Sequence, residues 1–273
     1  MSETLLRHKK QGDNTLIYKA IFFTDEIIRK DKNKKMIDQL RAAIISTVIG
    51  NNIFTEEERR FINFRPPAPY FNVPVKLIFA QPSLNGAIFE LFAFEEDGRV
   101  LLEKIGKALE NKTLTIQDEK IKVKSFKLLD GVSYLPSPLE IKEKYYTTTY
   151  IILHDKQKDF NEWFAITKKF EETKNKEDYE KEMKRSIINL IKANIKYQLK
   201  LRVKDRSYNF IDDINIEINE FQFVLEKYHK DQRPAPMLFM KFTSDWKLPF
   251  FIGHHIGKGY GYISLDKKVV KDV

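Results

Sequence analysis

A chain of 273 residues holds one large or two modest domains, and 42% hydrophobic residues, 21 of them Phe and 12 Tyr, are ample for packed cores. Forty-eight Lys+Arg against 39 Asp+Glu leave a formal charge of +9, which ranks nucleic acid ahead of an anionic membrane as partner, although a lysine- and glutamate-rich solvated surface gives the same count. Without cysteine there is no disulfide, thiolate zinc site or thiol nucleophile; no apolar run is long enough to cross a bilayer, and MSETLLRHKKQGD has no signal-like stretch, so a soluble cytoplasmic protein is expected.

In chain order, Leu16 to Phe23 predicts a buried strand, with Asp31 to Asn33 as punctuation. Met36, Ile37, Leu40, Ile44 and Val48 recur at helical spacing and predict an amphipathic helix stopped by Gly50-Asn51-Asn52. Thr55 with Glu58 has the form of a capping box, opening a short helical turn that carries Arg59 and Arg60 before Pro66-Pro67 breaks the chain. Tyr70 to Ala80 and Ala87 to Phe94 read as a hairpin around Pro82 and Asn85-Gly86. Asp97-Gly98 opens a second helix with Val100, Leu101, Ile105, Ala108 and Leu109 on one face, and Thr113 to Leu129 alternates as a strand or strand-turn-strand. The order β-α-β-β-α-β is the ferredoxin-like unit, whose sheet carries helices on one face and leaves the other for a ligand or a second domain.

Leu135-Pro136-Ser137-Pro138 predicts a break, dividing the chain into an N-terminal domain of residues 1–134, a linker of 135–145 and a C-terminal domain of 146–273. There Tyr146 to Leu153 reads as a strand. Phe160, Trp163, Phe164 and Phe170, then Tyr179, Met183, Ile187, Leu190 and Ile191, read as helices broken near Lys174 to Asp178. Tyr197 to Val203, Ile214 to Ile218, Met237 to Phe242 and Tyr260 to Leu265 read as strands, with no second helix legible. The expected fold class is α+β: two tandem ferredoxin-like domains, the second a variant, with a C-terminal glycine-rich loop.

That loop lies within Lys247 to Leu265, where four of the ten glycines fall within nine residues. Glycines expose backbone N–H groups and admit positive φ, so such a run can cradle phosphate oxygens; glycines that merely permit a tight hairpin fit the same pattern. Lys258 adds a charge, Tyr260 a stacking face, and His254 and His255 imidazoles that titrate near neutrality. Gly257-x-Gly259-x-Gly261 precedes only a short strand and tail, not a helix, which excludes dinucleotide and Walker-type binding.

Two ferredoxin-like halves, a basic surface and G-x-x-x-G-x-G-x-G over Gly253 to Gly261 entering the last strand resemble the CRISPR-associated repeat-processing endoribonucleases of the repeat-associated RNA-binding superfamily. The resemblance implies metal-independent, cofactor-free cleavage of CRISPR precursor RNA within its repeats. The ribose 2′-OH attacks the adjacent phosphate, leaving a 2′,3′-cyclic phosphate and a 5′-OH. It also leaves open a homodimer or association with a CRISPR effector complex.

The family's usual catalytic histidine lies near the first helix, but no histidine occurs here between His8 and His154. His254 or His255, Tyr18, or Lys34 and Lys35 are the replacements for the base, with Lys258 as phosphate stabiliser. One histidine packed under the loop and the other solvated is the competing reading. RNA contacts are expected from Gly253, Gly257, Lys258, Gly259, Tyr260 and Gly261, and from Arg59, Arg60 and Arg65 around FINFRPPAPYF, where charge and aromatic faces alternate. A loop covering the sheet accounts equally for the arginine segment. His8, His154 and His229 read as surface groups, no metal-ligand spacing is present, and the signature of an RNA-recognition sheet is absent. A catalytically silent RNA-binding subunit and a structural interaction protein are the rival functions.

Overall fold

The computed structural model describes residues 16–25, 42–48, 50, 52–63, 75–78, 88–116, 119–147, 151, 153, 157–200, 208–227, 234–253 and 261–265. The punctuation at Asp31 to Asn33, the start of the expected first helix, Pro66-Pro67 and the hairpin turn from Gln81 to Gly86 lie outside those residues.

The first half runs β1 (Leu16–Thr24), α1 (42–48), α2 (Glu56–Asn63), β2 (Val75–Ile78), β3 (Ile88–Phe94), α3 (Glu95–Leu109), β4 (Thr113–Ile116) and β5 (Glu119–Ser133). Its sheet has the order β2-β3-β1-β5-β4 with every neighbour antiparallel, which is the ferredoxin-like arrangement extended by the short β4 hairpin strand. Alternation sorts β1 and β3 into two faces. Tyr18, Ala20, Phe22, Phe89, Leu91 and Ala93 bury against Ile44 and Val48 of α1, Ile62 of α2 and Leu101, Leu102, Ile105 and Leu109 of α3. The rings of Phe22 and Phe89 stack there at 4.6 Å.

The expected capping box forms. Thr55 N–H donates to Glu58 Oε2 at 2.8 Å, and Glu58 N–H donates to Thr55 Oγ1 at 3.2 Å. The second helix begins at Glu95 rather than Asp97, directly off β3, and Val100, expected on its buried face, is 40% exposed while Leu102 is buried. The reason is angular: residue 102 shares the inward stripe with 101, 105, 108 and 109, and residue 100 falls beside it.

The second half runs β6 (Ser137–Thr147), α4 (Gln157–Thr173), α5 (Lys176–Lys200), a 3-10 turn (Asn209–Asp213), β7 (Ile216–Lys227), β8 (Pro234–Lys247) and β9 (Ile263–Leu265). The sheet order β7-β8-β6-β9 repeats the first half's order around its own first strand. The two halves together form the α+β, tandem ferredoxin-like fold. Two local expectations are corrected. Residues 137–145, expected in a linker, lie in β6, so the first strand of this half begins well before Tyr146. Pro138 is tolerated at that strand's start, next to a register shift, where a missing N–H removes little pairing. Tyr197 and Leu199, read as strand, belong to α5 because Ile187, Ile191, Ile195 and Leu199 continue one buried stripe at a spacing of four. Residues 201–207 lie outside the described residues.

That stripe packs on Leu238, Met240 and Phe242 of the second sheet. Trp163 Nε1 donates to Ser186 Oγ at 3.0 Å, joining α4 to α5. No helix among the described residues is long and apolar enough to cross a membrane.

Candidate nucleic-acid interface

The other face of β1 and β3 carries Ile17, Lys19, Phe92 and Phe94, and it meets the second half. The segment following β8 crosses it. Phe250, Phe251 and Tyr262 surround the Phe92 ring at centroid distances of 5.7, 5.0 and 5.6 Å. This segment takes the topological place that α3 fills in the first half, between the third and fourth strands of its sheet.

The described backbone of this segment finds partners across itself and on its neighbours. Ile252 N–H donates to Gly261 O at 2.8 Å and Ile263 N–H to Phe250 O at 2.9 Å, so the two legs of the glycine-rich loop form a paired stem. Gln198 Nε2 of α5 donates to Gly253 O at 3.2 Å. The Tyr145 hydroxyl accepts Leu248 N–H at 3.2 Å and donates to Glu143 Oε2 at 2.5 Å. Burial, then the Glu143 hydrogen bond, holds that phenol far above its usual range, so it stays protonated. Gly261 has φ +78°, and a Cβ there would lie 1.9 Å from Ile252 O, so the stem closes only on glycine.

Beside the stem a cleft of about 1540 Å³ opens between the halves, lined on one side by Lys19 and Glu90 and on the other by Tyr146, Phe239, Lys241 and Ser264 of the second sheet. Lys19 Nζ lies 3.2 Å from Glu90 Oε1 and within 6 Å of the Phe92 and Phe250 centroids, at 5.8 and 5.9 Å. The ammonium thus ties β1 to β3 and to the first leg of the loop. The Tyr262 phenol is pushed well up by burial and then by the neighbouring Glu90 carboxylate. Lys241 pairs with Glu220 at 2.8 Å on the open rim, where both side chains are more than half exposed.

Of the residues singled out in the sequence, Gly253 and Gly261 are the buried ends of the stem. His254, His255, Gly257, Lys258, Gly259 and Tyr260 lie between them, outside the described residues, as do Lys34, Lys35, Arg65, His8, His154 and His229. Tyr18 points to the helix-covered face, where its hydroxyl donates to Glu96 Oε2 at 3.2 Å. Burial and that carboxylate raise its pKa, which suits a donor and disfavours a base. Arg59 and Arg60 sit on α2, which packs through Ile62 on the same helix-covered side. The first sheet therefore lies between the helix carrying these arginines and the loop stem.

Sequence reasoning passed over Lys19, Glu90, Tyr146 and Lys241. The signal for the first two was present: each is a lone charge inside an apolar run, LIYKAIFF and IFELFAF, and a charge is buried in such a run only when something answers it.

Two antiparallel ferredoxin-like sheets, with a cleft between them and a glycine-ended stem after β8, define a tandem-lobed architecture. No protein-family model matches the chain, and no curated protein matches it. Solved structures do. A crystal structure of Cas6b aligns over 91% of this chain and 99% of its own, with a TM-score of 0.59 at 12% identity. A CRISPR RNA processing endoribonuclease Cas6b aligns over 92% and 99%, with a TM-score of 0.51 at 13% identity. The chain has the Cas6b fold, in line with the resemblance carried by its glycine motif.

Proposed function

We propose that the protein is a metal-independent endoribonuclease that processes CRISPR precursor RNA within its repeats. The observation that carries this reading is the paired stem of Phe250–Gly253 with Gly261–Ile263, held at the margin of a cleft between two ferredoxin-like sheets in a chain with the Cas6b fold. In this reading the backbone N–H groups of the glycine-rich loop and Lys258 face the scissile phosphate and stabilise its developing charge. His254 or His255 takes the proton of the 2′-OH, whose oxygen attacks the adjacent phosphorus; the P–O5′ bond breaks and the departing oxygen is protonated. The products are a 2′,3′-cyclic phosphate and a 5′-OH. Holding the nucleotide in line contributes the remainder of the acceleration.

The test incubates purified protein with the repeat RNA of its own genome in EDTA. Cleavage at one position is expected, abolished by 2′-deoxy substitution at the attacking nucleotide and slowed by about 10²–10⁴-fold in His254→Ala/His255→Ala. Cleavage indifferent to the 2′-deoxy group would overturn the mechanism, and cleavage indifferent to both histidines would overturn the assignment of the base. The absence of any histidine between His8 and His154 favours one second reading, a silent RNA-binding subunit, for which tight binding with no cleavage is the expected result.

A further inference from the structure

On the face of the first sheet that carries Lys19, β5 presents a row of lysines. Thr113 pairs with Lys122, Thr115 with Lys120 and Ile21 with Lys127, and directly paired residues point to the same side. Lys120, Lys122 and Lys127 therefore share a face with Lys19 and Phe23, while Lys124 sits at the register shift between Phe23 and Thr24. All four β5 lysines are exposed, and none makes a side-chain ion pair with a described residue. The neighbouring Asp25 carboxylate is occupied by the backbone N–H of Lys122, at 2.8 Å.

A sheet face that is merely solvated mixes signs, as the helices of the second half do where Lys169 meets Glu182 and Lys176 meets Glu180. Here the exposed charges of the β5 row are all lysines, and the acids of the face, Asp25 and Glu90, accept from Lys122 N–H and Lys19. Alternate residues on a strand are about 7 Å apart, close to the repeat of phosphates along an extended single strand. Phe23, 39% exposed on β1, lies against the row and offers a stacking face. The row ends at Lys127, diagonal to Lys19, and Lys19 lines the cleft.

We propose that Lys120, Lys122, Lys124 and Lys127, with Phe23, form a track that carries single-stranded RNA across the open face of the first sheet into the cleft between the halves. The proposal rests on the RNA-binding part of the reading above, but not on cleavage. It accounts for a row of four exposed lysines beside an exposed aromatic ring, an arrangement that follows a strand's backbone without requiring base pairing.

The test measures binding of a fluorescein-labelled 15-nucleotide oligouridine to the full chain by anisotropy across a salt series. Each phosphate contact to a single strand contributes about 0.7 to the slope of log K against log salt, so Lys120→Gln/Lys122→Gln/Lys127→Gln should flatten the slope by about 2. Phe23→Ala should weaken binding by about tenfold through lost stacking. The control Lys168→Gln/Lys176→Gln/Lys181→Gln, on the helices of the second half, should leave the slope unchanged, and circular dichroism confirms that each variant is folded. An unchanged slope in the β5 variant, or an equal loss in the helix control, would overturn the track while leaving the endonuclease reading intact. Wild type that cleaves nothing but binds with this slope pattern would sink the endonuclease and keep the track. Wild type that binds no RNA would sink both.

Discussion

The third and fourth strands of each sheet are joined differently, by α3 in the first half and by the segment from Leu248 to Tyr262 in the second. Within α3 the backbone groups bond to one another, and Leu101, Leu102, Ile105 and Leu109 need only a sheet to lie on. The described residues of the glycine segment, 248–253 and 261–262, are not helical. They bond to the opposite leg, accept from Gln198 at Gly253 O and donate from Leu248 N–H to the Tyr145 hydroxyl, and they take apolar cover from Phe92 of the other half. A helix in that position would spend its N–H groups on itself. The described legs meet as a paired stem, with Ile252 on Gly261 and Ile263 on Phe250.

The comparison breaks most visibly at Phe92. Phe92→Ala removes a fully buried ring that touches Phe250, Phe251 and Tyr262, and should cost about 3–5 kcal/mol in chemical unfolding. Leu102→Ala, equally buried under α3, should cost about 2–5 kcal/mol. The two separate in RNA binding measured well below the unfolding transition. Phe92→Ala should weaken it at least tenfold because the loop stem loses its platform, and Leu102→Ala should leave it within about twofold. Equal effects on binding would mean that the loop does not lean on the first sheet.

Two glycines sharpen the contrast at a smaller scale. Gly261→Ala forces a side chain into φ +78° and against Ile252 O, a backbone conflict that should cost about 3 kcal/mol and that no neighbouring substitution relieves. At Gly106, in α3, the nearest obstacle is the Phe126 ring, 2.2 Å from where a Cβ would sit. Gly106→Ala gains helix propensity and loses packing, for a net cost of about 1–2 kcal/mol, and Phe126→Leu in the same chain should recover most of it. Denaturant midpoints of the three variants decide this; rescue of Gly261→Ala by a side-chain change alone would contradict the backbone account.

Much of this architecture was legible because its signals are local. The capping box at Thr55 and Glu58 and the apolar runs that form β1 and β3 each lie within a few residues of one another. What was missed depended on partners far away in the chain. Tyr197 and Leu199 alternate like a strand, and only the packing of Leu199 beneath the second sheet reveals α5 continuing through them. Pro136 and Pro138 looked like a linker, yet β8 supplies a neighbour that tolerates Pro138 at a strand end. Lys19 and Glu90 are 71 residues apart, and neither strand alone says that the two charges meet at a cleft.

The smallest expected effect lies on the helix side of the first sheet, far from the loop, and shows how little the surface charges there have to do with the cleft. Glu58 is opposed by partial burial, but the hydrogen bonds from Lys104, at 2.6 Å, and from the Thr55 backbone win and draw its pKa below the usual carboxylate range. A carboxyl depressed on folding adds stability above its unfolded pKa, and that stability fades as pH falls through the lower folded value. Glu58→Gln keeps the capping box, since glutamine also reaches the Thr55 N–H, and removes only the ion pair. With Lys104 about a third exposed, the loss at neutral pH should be about 0.5–1 kcal/mol, and the variant's stability should fall less steeply than wild type's across the acidic carboxylate range. RNA binding should not change at any pH where both proteins are folded. A parallel loss of binding would mean that α2 and its arginines reach the RNA around the edge of the first sheet.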